Sequence, residues 1–577
     1  MRKQYRMTNL ARIFTGLTAI LCFFVATVLA QTPQAPPAPQ TLLGGQSTTS
    51  EKPAPQVPGK PPSESSGPEK HITPDEAKQL FGLVDDLLRF SSGETGFPIK
   101  SEVKRRLTTR AEVEGYLKEK FAEDEDAKRM QRSEIVLKKF GLLDRDFDLK
   151  PFLLALLKEQ IEAYYDPKEK MVNLLDWVGV DEQKPVLAHE LTHALQDQHV
   201  NLDKWSDQTP ADVSHNASDD SDHLAKDELD TAREAVTEGQ ATAVMMDNIL
   251  KPMGKSLLSD PEVVEFIKQQ MAGSENSPIL ARAPLLLSES LLFPYKEGLS
   301  FEQDVWMDRG QNAAFTGTLD RPPTSTWEII NPREYEKGHV PTVPLMPDIH
   351  PLVDKTYRPY DIGQVGQLDL HILAGLFGGE DAARTLTPAW DGGIYWAGQR
   401  LAATPAEQAT TNSISLFYLS VWKNLVSAQA FARLYAEELG RKYSGLKADV
   451  SDEHASPVNS PDGTVEHVYS TSEGPVVITT RGKLVFVSEG FDLPLARKLT
   501  SLILDAQGSG SLQMASLHRR PITRHAQTAA AMPQTHEQPL SESLVRFLSK
   551  CGIMKTVVDA TVQAGHAIPA STAPVAP

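Results

Sequence analysis

The segment from Pro185 to Gln198 reads PVLAHELTHALQDQ and contains the pattern His-Glu-x-x-His. On a helix, residues four positions apart lie on the same face, so His189 and His193 can direct two ring nitrogens towards one metal ion. Glu190 lies one position round the helix, beside the place of a metal-bound water. The pattern therefore predicts a catalytic metal site with Glu190 as general base. In the alternative interpretation, all three are ordinary polar residues of a half-exposed helix.

The local sequence favours a helix around this motif. Asp181 can cap its start, and Pro185 is tolerated in or near a first turn. An apolar face is supplied by Val186, Leu187, Leu191, Ala194 and Leu195. We therefore expect the two histidines to stand on a helix that packing holds rigid.

A third metal ligand is expected further along the chain, because hydrolytic zinc sites usually have three protein ligands and one open position. The segment from Asp227 to Met246 has helical character and carries two carboxylates one turn apart, Glu234 and Glu238. Residue type and spacing alone allow either carboxylate to complete the site. Two imidazoles and one carboxylate predict Zn²⁺ as the cofactor.

Two segments together, HELTHALQDQ and a later helix with Glu-Gly-x-Ala, resemble the gluzincin branch of the zincin metallopeptidases, in particular those of the bacterial envelope. The resemblance covers about residues 150 to 400 and implies that Glu238 is the third zinc ligand. Glu234 is then a neighbour on the helix or a hydrogen-bond acceptor for a ligand histidine. The reverse assignment, with Glu234 as the ligand, remains open.

The metzincin pattern fits this sequence less well. It requires a glycine three residues after the second histidine of the motif and a further histidine six residues after it. His199 has the required spacing from His193, but Gln196 occupies the glycine position. The sharp turn of that class is therefore missing.

The predicted fold class is α+β and predominantly helical. By resemblance, a zincin-like core contains an edge strand, the active-site helix and the glutamate-bearing helix, and we expect the run from Met171 to Val178 to be that strand, beside the substrate cleft. An ordinary core strand is the alternative. Thr411 to Leu439 is typical of one or two amphipathic helices, and the alternating run from Val476 to Val487 predicts a hairpin around Arg481-Gly482.

Composition divides the chain into segments. The expected segments are a signal peptide (1–30), a Pro-rich disordered linker (31–70), an N-terminal helical region (71–150), a metallopeptidase domain (151–445), a small α+β element (446–507) and a low-complexity tail (508–577). The basic start and apolar run of the first segment predict export to the periplasm or outside the cell. An uncleaved membrane anchor is the alternative for this segment.

Net charge limits the possible binding partners, and cysteine content limits the possible disulfides. The formal net charge is −18 at pH 7, which argues against nucleic acid or an anionic membrane surface as partner. Removal of the signal peptide would leave Cys551 as the single cysteine and exclude an intrachain disulfide. We expect a peptide or protein substrate and no stable membrane insertion beyond the N-terminal segment.

Two further groups of residues are candidates for functional roles. The Asp-rich stretch from Asn201 to Asp227 contains His215 and His223 and could bind a second metal, but its carboxylates lack calcium-loop spacing, which favours a mobile connecting loop. An oxyanion donor is also needed, and Tyr360, His371 and Tyr395 are the candidates, with structural roles as the default.

The function expected from these observations is zinc-dependent hydrolysis of peptide bonds. His189, His193 and Glu238 would hold the zinc, and Glu190 would take the proton of the zinc-bound water. The alternatives are a catalytically inactive zincin-like binding domain in the cell envelope and a zinc hydrolase of a different amide or ester.

Overall fold

The computed structural model describes residues 71–507 and 554–567, with gaps at 124, 207–212, 259, 273–276 and 449–462. The described residues form a mixed α+β structure that is mostly helical, as predicted. The predicted signal peptide and linker lie outside the described residues, and the segment boundaries stay predictions. Among the described helices, none combines the length and the apolar character that a bilayer span requires.

The regular elements are labelled in chain order. The helices are α1 (Pro74–Thr95), α2 (Arg110–Glu123), α3 (Glu125–Phe140), α4 (Leu149–Gln160), α5 (Val180–Val200), α6 (Leu202–Ser206), α7 (Ala217–Lys226), α8 (Leu229–Leu250), α9 (Glu262–Ala272), α10 (Leu285–Arg309), α11 (Thr326–Ile330), α12 (Pro332–Lys337), α13 (His350–Val353), α14 (Gln367–Leu386), α15 (Pro405–Gln408), α16 (Leu425–Lys442), α17 (Leu493–Ala506) and α18 (Lys555–Ala567). The strands are β1 (Lys104–Thr108), β2 (Ala163–Asp166), β3 (Met171–Leu175), β4 (Tyr357–Gln364), β5 (Trp390–Arg400), β6 (Ile414–Trp422), β7 (Lys447–Ala448), β8 (Val465–Thr471), β9 (Gly474–Arg481) and β10 (Leu484–Glu489). A π-helical turn, Ala313–Gly317, and several short helical turns connect them.

The helix that carries the His-Glu-x-x-His motif, α5, forms as predicted, but its cap differs. The helix starts at Val180, and the backbone N–H of Gly179 donates to the Glu182 carboxylate at 3.2 Å. Asp181 lies in the first turn and not at the cap, so that detail of the prediction was wrong. Glycine is accepted at this position because the glutamate three residues later satisfies the exposed backbone donor.

A small sheet of three strands in the order β1-β3-β2 lies beside α5. The predicted strand from Met171 is present, but it ends at Leu175 and is the central strand, parallel to β1 and antiparallel to β2. The prediction that it is the edge strand was wrong. Its last four residues are all buried, as a central strand requires, and the outer strand nearest α5 is β2.

Helix α8 carries Glu238 and packs backbone to backbone against α10. A Cβ atom at Gly239 would lie 2.4 Å from the backbone of Gly298, and a Cβ atom at Gly298 would lie 2.1 Å from the carbonyl oxygen of Ala235. Only hydrogen fits at both positions, so the two glycines set the spacing of the helices. This contact fixes the position of the turn of α8 that carries Glu238.

The second sheet has the strand order β4-β5-β6-β10-β9-β8-β7 and is antiparallel. The predicted hairpin is present as β9 and β10, but it belongs to this larger sheet. The prediction of helices from Thr411 onward was wrong for Ile414–Trp422, which is β6, and right for the following α16. Leu416 and Tyr418 face one core and Phe417 and Leu419 the other, so the strand is apolar on both sides and lacks alternation.

Two other segments also differ from expectation. Part of the predicted mobile loop forms α7, where the Asn216 side chain accepts from the backbone N–H of Ser218 as a helix cap. Part of the predicted low-complexity tail forms α18, which buries Met554, Val557 and Ala564 against the main core. This helix was not predicted, because its small residues gave it the composition of the surrounding low-complexity segment.

Candidate metal centre

Three side chains from α5 and α8 converge in the interior. The Nε2 atoms of His189 and His193 lie 2.9 Å apart. Glu238 Oε2 lies 3.0 Å from Nε2 of His189 and 3.5 Å from Nε2 of His193. His189 and Glu238 are buried, and His193 is almost so.

This geometry fits a metal ion. Ligand atoms about 2 Å from a tetrahedral ion lie about 3.3 Å from one another, close to the three separations found here. When both neutral rings carry their proton on Nδ1, two lone pairs face each other between the Nε2 atoms, and a cation placed there binds both. The donor set suits zinc and other borderline divalent ions alike.

A hydrogen-bond chain orients the ring of His193. Its Nδ1 lies 2.9 Å from Gln196 Oε1, and Gln196 Nε2 donates to the carbonyl oxygen of Thr237 at 3.0 Å. Because a carbonyl oxygen only accepts, the Gln196 amide has one orientation, and its oxygen must accept from His193 Nδ1–H. The lone pair of His193 is therefore on Nε2, which faces the cluster.

The chain of amides continues into the neighbouring helix. Gln196 Nε2 also donates to Gln240 Oε1 at 2.9 Å, and Gln240 Nε2 lies 2.9 to 3.0 Å from the carbonyl oxygens of Ala314 and Phe315 and from the Thr318 hydroxyl. The orientation of His193 is thus tied to α8 and to the π-helical turn. Sequence reasoning missed this role of Gln196, although its position three residues after His193 places it on the same helix face.

Glu190 stands beside the cluster and is buried. The backbone N–H of Tyr165 in β2 donates to its Oε2 at 2.6 Å, so one carboxylate oxygen is held by the sheet. Burial raises the pKa of Glu190 to about 7. The arrangement leaves the second oxygen to exchange a proton with a group at the cluster.

Burial and pairing shift the pKa values of the converging groups in different directions. Burial lowers the pKa of His189 to about 4. For His193 burial also acts downwards, but the Glu238 carboxylate outweighs it and raises the pKa to about 9. Burial acts to raise the pKa of Glu238, but the His193 and His189 rings together outweigh it and lower the value to about 2. Without a metal the group is therefore held together as a buried ion pair.

The structure separates the two candidate carboxylates. Glu238 lies in the cluster, whereas Glu234, one turn earlier on α8, is not part of it and has other interactions. His199, the histidine of the metzincin alternative, stacks on Phe97 at 4.9 Å between ring centroids, and its Nε2 lies 3.9 Å from Asp320. The arrangement favours the ligand set His189, His193 and Glu238, and that assignment stays a prediction.

The predicted oxyanion donors lie in other surroundings. Tyr395 is buried in β5 with its ring edge-on to Phe140 at 5.3 Å, and burial, with Asp361 nearby, raises its pKa well above the ordinary value. His371 Nδ1 lies 3.4 Å from the Thr387 hydroxyl, and Tyr360 is a half-buried residue of β4. These contacts suit structural roles.

A tyrosine that sequence reasoning missed lies beside the cluster. The ring of Tyr295 on α10 is 6.2 Å from that of His189 between centroids, and the side chain is buried. It stands inside the apolar run LLFPYKEGL, where no local pattern distinguishes it from a core residue. Only the packing of α10 on α8 brings it to the site.

A buried group of two histidines and one glutamate on helices, consistent with a His-Glu-x-x-His plus glutamate site, is thus the result that the geometry supports. The finer resemblance to gluzincins rests on the sequence motifs alone. Comparisons of the chain with protein-family models, with curated proteins and with solved structures found no match.

Proposed function

We propose that this protein is a zinc-dependent peptidase. The observation that carries the proposal is the convergence of His189, His193 and Glu238. Their ligand atoms are separated by distances typical of the ligands of one tetrahedral ion, and the Glu190 carboxylate lies beside them. Two long packed helices hold the donors, as a pre-organised catalytic centre requires. Zinc is the ion that this donor set most often binds in hydrolytic sites.

The residues of the site would have different roles in hydrolysis. His189, His193 and Glu238 would hold the ion, which when bound acidifies a water molecule and polarises a carbonyl group. Glu190 takes the proton of the attacking water and delivers it to the leaving amine. The Tyr165 N–H holds one oxygen of Glu190, so the other is directed at the reacting atoms.

Peptide as the substrate class is supported by the position of β2. This outer strand of the small sheet runs beside the motif helix, so an extended chain could add to the sheet next to Glu190. The resemblance to gluzincins points to the same class. Export and the absence of nucleic-acid partners belong to the proposal, on the basis of the N-terminal sequence and the negative charge.

The test replaces Glu190 by glutamine. We expect Glu190→Gln to retain the metal and to lose about 10²- to 10⁴-fold in the cleavage of a mixed-peptide library, because the proton acceptor is gone. Asp181→Asn, the same chemical change at an exposed position of the same helix, should cleave normally. Metal content and cleavage products are measured for all three proteins.

Three results would overturn the proposal, and each points elsewhere. Equal cleavage by Glu190→Gln and the native protein would remove Glu190 from the chemistry. Bound metal without any cleavage would indicate the inactive binding domain. Metal-dependent hydrolysis of esters, with peptides untouched, would indicate the hydrolase of another substrate.

A further inference from the structure

A second cluster of two histidines and an aspartate lies at the surface, with one histidine on the segment before α7 and the other two residues at the start and just after the end of α13. His215 Nδ1 is 2.9 Å from Asp354 Oδ2, and His350 Nδ1 is 3.2 Å from Asp354 Oδ1. The ligand atoms of the three side chains lie within 4.8 Å of one another. The two nitrogen–oxygen separations are near those between ligands of a tetrahedral ion.

The ring of His350 is held from its far side by a buried aspartate. Asp220 Oδ2 on α7 lies 3.1 Å from His350 Nε2, and Asp220 is only 2% exposed. The other Asp220 oxygen, Oδ1, is buried without a hydrogen-bond partner among the described residues. Because a carboxylate only accepts, Nε2 carries a proton, and the Nδ1 of a neutral ring presents its lone pair to Asp354.

A lone pair and a carboxylate oxygen at 3.2 Å repel each other unless a cation lies between them. A second proton on His350 would also remove this repulsion, and a neutral His215 would then donate its own Nδ1–H to Asp354, which is the ion-pair alternative. One divalent ion satisfies all three groups at once. The backing of a ligand imidazole by a buried carboxylate is a common feature of metal sites.

We propose that His215, His350 and Asp354 bind a second divalent transition-metal ion, with Asp220 as the residue that orients His350. Imidazole and carboxylate ligands suit zinc, nickel or copper and not calcium. This proposal does not depend on the proposed peptidase activity, since the cluster shares no residue with the first.

The role of this ion would be structural. His215 and Asp220 belong to the chain segment between α5 and α8, whereas His350 and Asp354 precede β4 of the large sheet. The side chain of His215 is 61% exposed, so solvent reaches the remaining coordination position. An ion here would fasten the connection between the two motif helices to the second sheet, and it would exchange with the medium.

The experiment counts ions on the full chain. Chelator-stripped protein is titrated with Zn²⁺ by calorimetry, and the zinc content of the product is measured. We expect two ions on the native protein and one on Asp354→Asn or His350→Gln. His339→Gln, which breaks another surface histidine–carboxylate pair, should still bind two. In a His189→Ala background, one ion should remain, and Asp354→Asn should remove it.

Two further measurements test the site itself. Zn²⁺ should raise the unfolding midpoint of the His189→Ala protein by about 2–4 °C, and Asp354→Asn should abolish that rise. Asp220→Asn should weaken this ion by about 10- to 100-fold while the count stays at two, because the ring is no longer oriented.

Some results would overturn the second site. A native protein with a single ion that His189→Ala eliminates would show that the surface cluster is only a histidine–aspartate ion pair. Two ions on the native protein, both retained by Asp354→Asn and by His350→Gln, would place the second ion elsewhere.

Discussion

The two clusters contain the same kinds of donor but stand in different surroundings. In each, a histidine is followed four residues later by a second donor: His193 lies on the same helix as His189, and Asp354 directly follows the helix that begins at His350. The first cluster is buried between α5 and α8, with the Glu190 carboxylate beside it, whereas the second is open to water at a helix of one turn. Asp220 is occupied in holding the far side of His350, whereas Glu190 has one oxygen left for a reacting group, so only the buried cluster combines metal donors with a candidate base.

The two clusters also differ in the residue that orients one of their histidines. A neutral amide, Gln196, backs His193, whereas a carboxylate, Asp220, backs His350. A carboxylate increases the basicity of the imidazole and favours tight metal binding, whereas an amide sets the orientation and leaves the charge of the ion less compensated. A less compensated ion acidifies its water more strongly, which suits the buried cluster for hydrolysis.

The largest expected effect is the loss of the buried ion alone when one carboxylate, that of Glu238, is replaced. Glu238→Gln should weaken metal binding at the buried cluster by at least about 100-fold and leave the surface ion in place. This loss is larger than the one expected when a residue that only orients a ligand is replaced. Glu234→Gln, the same change one turn earlier on α8, should leave both ions bound. Zinc counts on the two variants give the answer. Loss of the buried ion in Glu234→Gln alone would reverse the assignment of the third ligand.

Sequence reasoning reached the buried cluster because its information is local. Two histidines and a glutamate within five positions of one helix form a pattern, and the second segment with Glu-Gly adds a candidate carboxylate. The sequence suggested a second metal only on the stretch with His215 and His223, where calcium-loop spacing is missing. His350 was not considered, because it is far from His215 in the chain and only the folded structure brings the two together. Tyr295 and the Tyr165 N–H were missed for the same reason.

The fold was predictable where the local signals agreed. At the start of α1, the capping box of Thr73 and Glu76 and the proline between them are local signals that can be read from the sequence, and the helix begins there. Strands buried on both faces were harder to predict, because β6 reads as an apolar run that fits a helix equally well. The position of β3 at the centre of its sheet depends on pairing with β1, 67 residues earlier, which no local pattern records.

The next prediction tests whether helix spacing maintains the buried cluster. Gly239→Ala would place a methyl group against the backbone of Gly298, so α8 and α10 must separate. We expect about 1–3 kcal/mol lower stability towards unfolding and weaker binding at the buried cluster, with the surface ion unaffected. Unfolding in denaturant and calorimetric titration measure the two effects.

A matched glycine provides the control for this change. Gly115→Ala on α2 adds a methyl group that meets no atom within 4 Å, and it should raise stability by about 0.5–1 kcal/mol, since alanine favours a helix. If Gly239→Ala behaves like Gly115→Ala, the close approach of α8 and α10 does not position Glu238.

The last expected effect appears only at high pH and concerns a buried carboxylate that has no histidine partner. Glu238 is buried, but histidines stabilise its charge, whereas Glu162 beside β2 has a buried Oε2 atom with no hydrogen-bond partner among the described residues. Burial, together with the nearby charges of Asp559 and Glu182, raises the pKa of Glu162 from 4.5 to about 8, and Lys555 offsets part of this. The folded state therefore binds this proton more tightly than the unfolded state does.

The sign of the pH dependence follows from that difference. The contribution of protonated Glu162 to stability is complete below pH 4.5, declines as the pH rises from there, and is lost by about pH 8. Glu162→Gln has no proton to lose, so its stability relative to the native protein should increase with pH, by about 1–3 kcal/mol at pH 8.5. Denaturant unfolding at pH 5.5, 7 and 8.5 measures the change, with the exposed Glu169→Gln as control. A constant difference between Glu162→Gln and the native protein over this range would mean that Glu162 is charged in the folded state, and burial alone would then not distinguish it from Glu238.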